Sequence, residues 1–600
     1  MRKKGWIILM SAALVLLLSA PGWAAFNVPG VPGLEIGGYI RNQTDIRAAS
    51  PQDIMRMDTN AAIRFDYKPT TFLQFYLELR PFVDAAMDMG SNAISKHNRG
   101  IMGIDKKNYG WHASPPHYIG MFGTDTEVGG EVSERDMLST NMNESYWLRN
   151  SFLREAWMLY KNPCWQVKVG KQIVTWGETD GLKLLDFVNA TDYRHFIIDD
   201  MEDSKIPEWM INITYYFNQD YNLQFLYIPQ YISNFQAPAG SPWALNGVNL
   251  IYYYDHFDAL NLQNGLGLPP TPYWIRHEIA KNACSIDYNG PDNPSEFGVR
   301  FKGTIGTATD FTLNYFYTHN KNNVFIKTHW RTNPWLNGPG GTTDVFQFYT
   351  KPAIQRIYGA SFNHVFGNFL GLMRDLVMRG EFAYYYKTDF FGTYDNFMYA
   401  TDIGPSNVIS PVSGLPMSPG GDLFITKRDL IRACIGLDKN VYWLGLNWLM
   451  SGQVFYEHIL GYPHTYKGRE CYISNVGLTK AKRDEFTWTF YANTDIMNER
   501  IKFDNLFVWN STKMDGWNRF KVGFDISDHW SLWVGNNFFW GEDRSNEINP
   551  FVGTGQWMPN SGATGPANPE ALSVGNIRRG DPLGEMSRNT SFFSELKYSF

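Results

Sequence analysis

The chain has 600 residues, with 53 Lys and Arg against 59 Asp and Glu, and its formal net charge is −6. Charged residues make up 19% of the chain, aromatic residues make up 16%, and the mean hydropathy is −0.33. This modestly acidic balance argues against nucleic acid as a partner. Such an aromatic-rich chain of low mean hydropathy favours a large secreted β protein or a transmembrane β-barrel.

The first 24 residues have the pattern of a secretory signal peptide. Residues 2–4 are basic, residues 6–18 form an apolar run, and a small residue, Ala24, stands at the expected cleavage point. The apolar run is shorter than the ~20 residues that a membrane-spanning helix needs, and no later run is long enough. We therefore expect export, cleavage after Ala24 and a single domain over residues 25–600.

Alternation of apolar and polar residues recurs along the rest of the chain. Ile63, Phe65 and Tyr67 alternate with charged residues, and a second alternating run follows the turn at Pro69-Thr70. This period of two predicts antiparallel strands with one apolar and one polar face. About eighteen such strands are predicted in the chain, an even number that suits a barrel. They lie near 34–46, 61–68, 71–80, 152–160, 165–175, 209–217, 222–230, 296–303, 310–318, 354–366, 376–388, 430–438, 442–456, 485–494, 500–510, 517–526, 530–540 and 591–600.

The connections between these strands alternate in length. Short turns such as 161–164 and 218–221 alternate with long connections such as 81–151 and 231–295. Short turns at one end and long loops at the other are typical of outer-membrane barrels. A propeller would show a repeat of about 40–50 residues, which the sequence lacks. The sequence therefore predicts an all-β, transmembrane antiparallel barrel of about 18 strands (roughly 16 to 18) in the outer membrane of a Gram-negative bacterium.

The segment SFFSELKYSF reads as the last strand of this barrel. Leu596, Tyr598 and Phe600 share one parity, which we expect to face the outer-membrane lipid. Glu595 and Lys597 share the other parity, which we expect to face the lumen. A final aromatic residue resembles the signal by which the outer-membrane assembly machinery recognises its clients. Leu596, Tyr598 and Phe600 are therefore the candidate assembly signal.

The long connection over residues 176–208 is the most distinctive segment. The spacing of Leu184, Leu185 and Val188 predicts a short helix within it. A connection of this length cannot rest against lipid with its backbone groups unsatisfied, so we expect it to fold inward and narrow the lumen. The predicted constriction residues are Trp176, Glu178, Asp180, Asp199, Asp200, Glu202 and Asp203.

Two roles fit the acidic residues of this connection. A ring of carboxylates would favour cations in the pore. Alternatively, the carboxylates pair with basic residues of the lumen, since buried charges are normally paired. The candidate lumen basic residues are Arg64, Arg80, Arg154, Lys168 and Arg300, with Lys171 near the rim. The acidic run 199–203 lacks the ligand spacing and central Gly of a calcium loop, so we assign no metal and no other cofactor.

The two runs GKQIVTWGETDGLKLLDFVNATDYRHF and DDMEDSKIPEWM give a family resemblance. They resemble the signature of the domain-of-unknown-function 1302 family of proteobacterial outer-membrane proteins, specifically over residues 153–229. The resemblance implies an outer-membrane barrel. It also implies association with an exporter of the resistance-nodulation-division (RND) type and with a periplasmic lipid-carrier-like protein. The family supplies no activity.

Enzyme and disulfide signals are weak. The sequence has none of the hydrolase, metalloprotease or phosphate-loop motifs. His195 lies near Asp192, but no nucleophile is identifiable beside it. Cys284 and Cys471 both lie in predicted external loops, where pairing depends on their distance.

Three functions remain, in order of preference. The first is a non-enzymatic outer-membrane channel that passes small or amphiphilic solutes. The second is an outer-membrane partner of an RND-type exporter that handles hydrophobic or lipid-like molecules, and the third is an outer-membrane hydrolase. The second function requires aromatic side chains in the lumen, and the residues of expected inward parity include Tyr76, Tyr216, Phe316 and Trp533.

Overall fold

The fold is that of a computed structural model, which describes most of the predicted strands and part of the long connections. The described residues are 26–48, 54–84, 152–179, 181–193, 195–236, 243, 285–288, 291, 293–322, 325–333, 343–350, 352–367, 376–394, 425–462, 465–466, 469–474, 481–541 and 582–600. The predicted signal peptide, Asp180 and Cys284 lie outside these residues.

Eighteen antiparallel strands follow one another around a closed barrel. Each strand pairs with the next along the chain, and the last pairs back with the first. The strands are β1 (Leu34–Arg47), β2 (Ile54–Thr70), β3 (Leu73–Leu79), β4 (Leu153–Lys161), β5 (Trp165–Gln172), β6 (Glu208–Tyr216), β7 (Tyr221–Ile228), β8 (Glu296–Ile305), β9 (Thr309–His319), β10 (Ile354–Val365), β11 (Val377–Tyr394), β12 (Ile425–Trp443), β13 (Leu446–Ile459), β14 (Asp484–Ile496), β15 (Ile501–Asn510), β16 (Asp515–Asp525), β17 (Trp530–Trp540) and β18 (Ser591–Ser599).

Short elements accompany the barrel. Further strands, outside the ring of eighteen, lie at Phe26–Asn27, Phe82–Asp84, Asp192–Tyr193, Phe235–Gln236, Ser285–Tyr288, Phe325–Asn333, Thr343–Thr350, Thr465–Tyr466 and Arg469–Ser474. The helical segments among the described residues are α1 (Met201–Ser204), α2 (Pro582–Glu585) and a 3₁₀ turn at Met586–Asn589. Among the described residues, no helix is both long enough and apolar enough to cross a membrane.

The alternation of side chains gives the barrel an apolar outside and a polar inside. On β6, Trp209 and Ile211 are exposed on the outer face, whereas Met210 and Asn212 are buried on the inner face. A closed barrel leaves no unpaired strand edge, which is the condition for strands to cross a bilayer. The prediction of an all-β, transmembrane antiparallel barrel with an inward loop is therefore confirmed, with eighteen strands.

The barrel closes between β1 and β18. The pairing runs from Arg47 with Ser591 to Tyr39 with Ser599. It is extended by two backbone hydrogen bonds between Gly38 and Phe600, of 2.7 and 2.9 Å. Of the other two candidate assembly residues, Leu596 is exposed on the outer face, and the ring of Tyr598 packs against Trp530 at 4.9 Å between centroids. Their role in assembly stays a prediction.

Strand lengths differ from the expectation at β2. The predicted strand begins near residue 61, whereas β2 begins at Ile54. In its first residues, Arg56 and Asp58 face the lumen, whereas Met57 and the polar residue Thr59 face outward. Polar residues on both faces hide the alternation, so the sequence pattern misses this part of the strand.

Candidate functional site

The connection from β5 to β6, residues 173–207, lies inside the barrel, and we call it the inner loop. Its Trp176 is fully buried, and the indole Nε1 donates to Oε1 of Gln224 at 2.9 Å. The Trp176 ring packs edge-on against Phe316 of the wall, with 5.9 Å between centroids. Trp176 therefore fastens the inner loop to the wall. The same apolar cluster contains Leu184, Leu185, Val188, Leu226, Ile357 and Tyr385.

The predicted helix around Leu184 to Val188 is absent, because this segment is extended or bent and the helical turn of the inner loop is α1. The backbone N–H of Leu185 donates to a carboxylate of the wall at 3.1 Å. The N–H of Ala190 donates to Glu208 at 2.7 Å. Side-chain acceptors thus take the donors that a helix would use. The apolar residues of the pattern are buried nonetheless.

One wall carboxylate, Glu381 on β11, holds the first half of the inner loop. It accepts hydrogen bonds from the backbone N–H groups of Glu178, Thr179 and Leu185, the last two at 2.9 and 3.1 Å. Beside it, the hydroxyl of Tyr385 donates to the carbonyl of Leu184 at 3.0 Å. A carboxylate that accepts several backbone donors satisfies groups that would otherwise be buried without partners.

Arginine side chains of the wall hold the second half of the inner loop. Asp199 accepts from Arg56 at 2.7 Å and contacts Nδ1 of His195 at 2.9 Å. Asp203 bridges Arg41 at 2.8 Å and Arg80 at 2.7 Å. The pairs with Arg41, Arg56 and Arg80 join residues far apart in sequence and fix the inner loop to β1, to β2 and to the residue that follows β3.

The pKa values of these two carboxyl groups are shifted. Burial by itself raises the pKa of Asp203, but the guanidinium groups of Arg41, Arg80 and Arg154 outweigh burial, and the pKa is lowered. Asp199 is similar, since Arg56 and His195 outweigh burial and hold its pKa well below the ordinary value. Both groups are therefore ionised at neutral pH.

The remaining predicted acidic residues are less enclosed. Asp200 lies 3.2 Å from Arg519, and its side chain is 54% exposed. Glu202 lies 3.0 Å from Lys205, and its side chain is 73% exposed. Glu178 is half-buried at the wall. Among the described acidic residues of the predicted constriction, Asp200 and Glu202 thus have the most exposed side chains in these ion pairs.

The predicted basic residues differ in their surroundings. Arg80 reaches the inner loop at Asp203, and Arg154 donates to the backbone carbonyl of Glu202 at 2.7 Å. Arg64 instead pairs with Glu78 of the wall at 3.3 Å.

Two others stack on aromatic rings. Lys168 lies 4.0 Å from the centroid of the Trp157 ring. Arg300 lies 5.8 Å from the Trp176 ring and donates to the carbonyl of Thr175 at 3.4 Å.

Lys171 departs from the lumen set. It pairs in the sheet with Ala156 and Trp209, which have outward parity. Its Nζ donates to the carbonyl of Leu153 at 2.7 Å. Lys171 is therefore part of the wall near the rim, because its position in β5 has the opposite parity to Lys168.

Several residues that hold the inner loop were not predicted. Arg56 lies in the missed beginning of β2, so the pattern placed it in a connection. Arg41 and Arg519 have inward parity in predicted strands, and their charge at an inward position was the available signal. Glu381 carries the same signal, but nothing in the sequence indicates which connection it meets.

Two cavities flank the inner loop. The β11–β16 cavity, of about 790 Å³, lies between the inner loop and those strands, and the β1–β4 cavity has about 700 Å³. Asp199, Met201 and Arg519 line both of them. The inner loop thus divides the lumen.

Both cavities carry charges of both signs. The β11–β16 cavity is lined by Lys183, Arg379, Arg432, Arg519, Asp199, Asp438, Glu457 and Glu485, four of each sign. Burial lowers the pKa of Lys183 to about 8, although Asp186 opposes the shift. The β1–β4 cavity is lined by Arg41, Arg64, Arg80, Arg154, Arg519, Lys521 and Lys597, and by Glu78, Glu155, Asp199, Asp200, Glu202, Asp203 and Glu595.

The remaining candidates from the sequence are the histidine considered for catalysis, the cysteines and possible metal ligands. His195 belongs to the ion-paired group of Asp199 and Arg56. Cys434 is buried on the lumen side of β12, and Cys164 is exposed in a turn. The proposed pairing of Cys284 with Cys471 falls outside the part of the chain whose side chains are described. In the described residues, no group of three or more His, Cys, Asp or Glu is placed to hold a metal ion.

A closed barrel with an apolar outer face and a lumen divided by a loop from its own wall defines the class, a transmembrane β-barrel of the constricted type. The DUF1302 family, proteins of unknown function, matches residues 52–552. The chain therefore belongs to this family, and the resemblance seen in the sequence is confirmed.

Solved structures that align with most of this chain have low sequence identity to it. OccAB2 of Acinetobacter baumannii is 9% identical over 96% of this chain and 99% of that chain, with a TM-score of 0.40. OccK8 (OprE) of Pseudomonas aeruginosa is 7% identical over 96% and 99%, with a TM-score of 0.38. A BenF-like porin of Pseudomonas fluorescens Pf-5 is 7% identical over 95% and 98%, with a TM-score of 0.36. These scores are too low to carry an argument about function. No curated protein matches the chain.

Proposed function

We propose that the protein is an outer-membrane channel that passes small or amphiphilic solutes past the inner loop. The observation that carries the proposal is the pair of cavities of about 790 and 700 Å³ left beside an inner loop that is fixed to the wall. A lumen filled by side chains would leave no such space, whereas larger barrels enclose cavities or channels.

The β11–β16 cavity is the favoured passage. It follows β13 from Leu449, near a short turn, to Glu457, near the opposite end of the strand. Since a strand rises about 3.3 Å per residue and barrel strands tilt by about 40°, this stretch spans roughly 20 Å of the barrel axis, about two thirds of the thickness of a bilayer core. The cavity therefore extends beside a large part of β13.

The charges that line this cavity predict only a weak preference between cations and anions. Four basic and four acidic side chains line it, so neither sign dominates. Aromatic side chains, among them Phe455, Tyr491 and Trp517, lie between the charges. Such a surface accepts solutes that carry both a polar and an apolar part better than it accepts simple ions of one sign.

Planar-bilayer recording of the purified protein tests the proposal, and discrete conductance steps are the expected result. Glu381→Gln should raise the conductance, because an amide donates where the loop backbone also donates, which loosens the inner loop. Glu35→Gln, at an exposed position of β1, is the matched control and should leave the conductance unchanged. A silent bilayer with correctly folded protein would contradict the channel.

A second function is favoured by one feature, the aromatic residues of the lumen. Tyr76 and Trp533, expected on the inward parity, line the β1–β4 cavity. They suit a barrel that receives hydrophobic molecules from an exporter and a periplasmic carrier. Co-purified lipid together with the absence of conductance would favour this function over the channel.

A further inference from the structure

The wall between β4 and β5 differs from a regular strand pair. Its pairing stops at Ala156 with Lys171, although β4 begins at Leu153 and β5 continues to Gln172, which pairs with β6. From there the chain leaves the wall and enters the lumen as the inner loop. We call the region where β4 and β5 part the seam.

A side chain bridges the seam where the described ladder stops. The carbonyl of Leu153 accepts its hydrogen bond from Nζ of Lys171, at 2.7 Å. Lys171 has outward parity, yet only 1% of it is exposed, so the ammonium group lies within the wall. On the other side of β4, a bulge at Arg154 breaks the register with β3 and leaves Arg154 bound to the inner loop. At this point β4 and β5 are thus joined by a flexible side chain rather than by paired backbone groups.

The backbone next to the seam is held by a glycine. Gly170 precedes Lys171, has φ of +134° and pairs with Trp157. A Cβ atom at this position would lie 2.7 Å from Cα of Trp157. This close approach brings the two strands together below the seam, where only glycine fits.

An apolar groove lies on the outer face beside the seam. It has a volume of about 560 Å³, and its lining is almost entirely apolar. Ala156 and Trp209, the two sheet partners of Lys171, line it, so the groove reaches the edge of the seam. The lining also includes Phe65, Phe75, Leu77, Met158, Val169 and Ile211.

The charged β1–β4 cavity lies on the inner side of the same wall. Arg154, Glu155 and Ile173, which flank the seam, line this cavity. Tyr76 lines both the outer groove and the inner cavity, so the two spaces approach each other across one layer of backbone. An apolar surface and a surface of paired charges thus face each other through the seam.

We propose that the seam is a side portal for amphiphiles, whose tail lies in the outer groove while the charged head group lies in the β1–β4 cavity. The proposal rests on the channel function proposed above and extends it to exchange with the membrane. A tail that passes from the aqueous lumen into the outer groove leaves water for apolar surroundings. A zwitterionic head finds partners of both signs among the lining charges of the cavity.

Current block in a planar bilayer tests the portal, with dodecylphosphocholine below its micellar concentration as the probe. The wild-type current should be blocked reversibly. Ala156→Trp fills the groove and should weaken the block about tenfold, which corresponds to about 1.4 kcal/mol. Ala360→Trp, an outward alanine of β10 on another part of the wall, is the matched control and should block like the wild type.

A second variant keeps the test decisive if Ala156→Trp does not assemble. Lys171→Met removes the bridge to Leu153 and should speed the onset of block. Block of equal strength and rate in the wild type and these variants, or no block at all in a conducting channel, would overturn the portal alone. Absence of current in the folded wild type would overturn the channel function and the portal together.

Discussion

The two halves of the inner loop are held by different forces. Residues 173–190 are fastened by an apolar cluster around Trp176 and by hydrogen bonds to Glu381. Residues 195–205 are fastened by ion pairs from Asp199 and Asp203 to arginines of the wall. Apolar packing depends on shape and volume, whereas ion pairs depend on charge state. The first half therefore has apolar packing that does not depend on protonation, in addition to its hydrogen bonds to the carboxylate of Glu381. The attachment of the second half is set mainly by titratable groups.

Removing the central ring of the apolar half should have the largest effect. Trp176→Ala leaves a cavity against Phe316 and should cost about 3–5 kcal/mol, as for other buried aromatic residues. We expect the first half of the inner loop to detach and the conductance to rise. Denaturant unfolding and single-channel recording measure the two effects. Trp488→Ala, on the outer face, is the control, and an equal loss in both variants would contradict the assignment.

Breaking an ion pair should have a smaller effect. Asp203→Asn leaves Arg41 and Arg80 without their shared carboxylate. Because Asp203 keeps some exposure and both arginines have another acidic neighbour, we expect a loss of about 2 kcal/mol, less than for a fully buried pair. Glu202→Gln, whose side chain is 73% exposed, should cost less than about 0.5 kcal/mol. Thermal unfolding of the two variants at neutral pH gives the comparison.

The sign of the acid dependence follows from the lowered pKa of Asp203. The stabilisation is present above the pKa of an unfolded aspartate, near 3.9. It is lost as the pH falls through the lowered value. Asp203→Asn should remove this part of the acid sensitivity. Equal acid profiles of wild type and variant would show that the second half of the loop is not held by this charge.

The smallest effect should come from Lys183, which lines the β11–β16 cavity. Burial lowers its pKa to about 8, so the side chain loses its proton between pH 7 and pH 9. The passage then loses one of four positive charges, and the preference should shift modestly toward cations. Reversal potentials in a salt gradient measure the shift. Lys183→Met should already show the high-pH preference at pH 7, and a wild-type preference that is constant over this range would contradict the role of Lys183.

The strands of the barrel could be predicted from the sequence, whereas the partners of the inner loop could not. Alternation and turn spacing predicted the eighteen strands, because each strand carries its own alternation of apolar and polar residues. The inward folding of residues 176–208 was predicted from the rule that backbone groups out of contact with water need hydrogen-bond partners. The partners themselves were not visible, since Asp203 meets Arg41 and Thr179 meets Glu381 only after the barrel has closed. The local helix pattern at Leu184 failed for the same reason, because distant side chains took its donors.

The closing pair of strands has a consequence for how the molecule is made. β1 and β18 come from opposite ends of the described chain, yet they form nine residue pairs with each other. Contacts between such distant segments form slowly, since a large loss of chain entropy precedes them. Until they meet, both strands present open edges that invite pairing with other chains. Ring closure and aggregation therefore compete during the assembly of this barrel. A catalyst that shields the two open edges from other chains would favour closure.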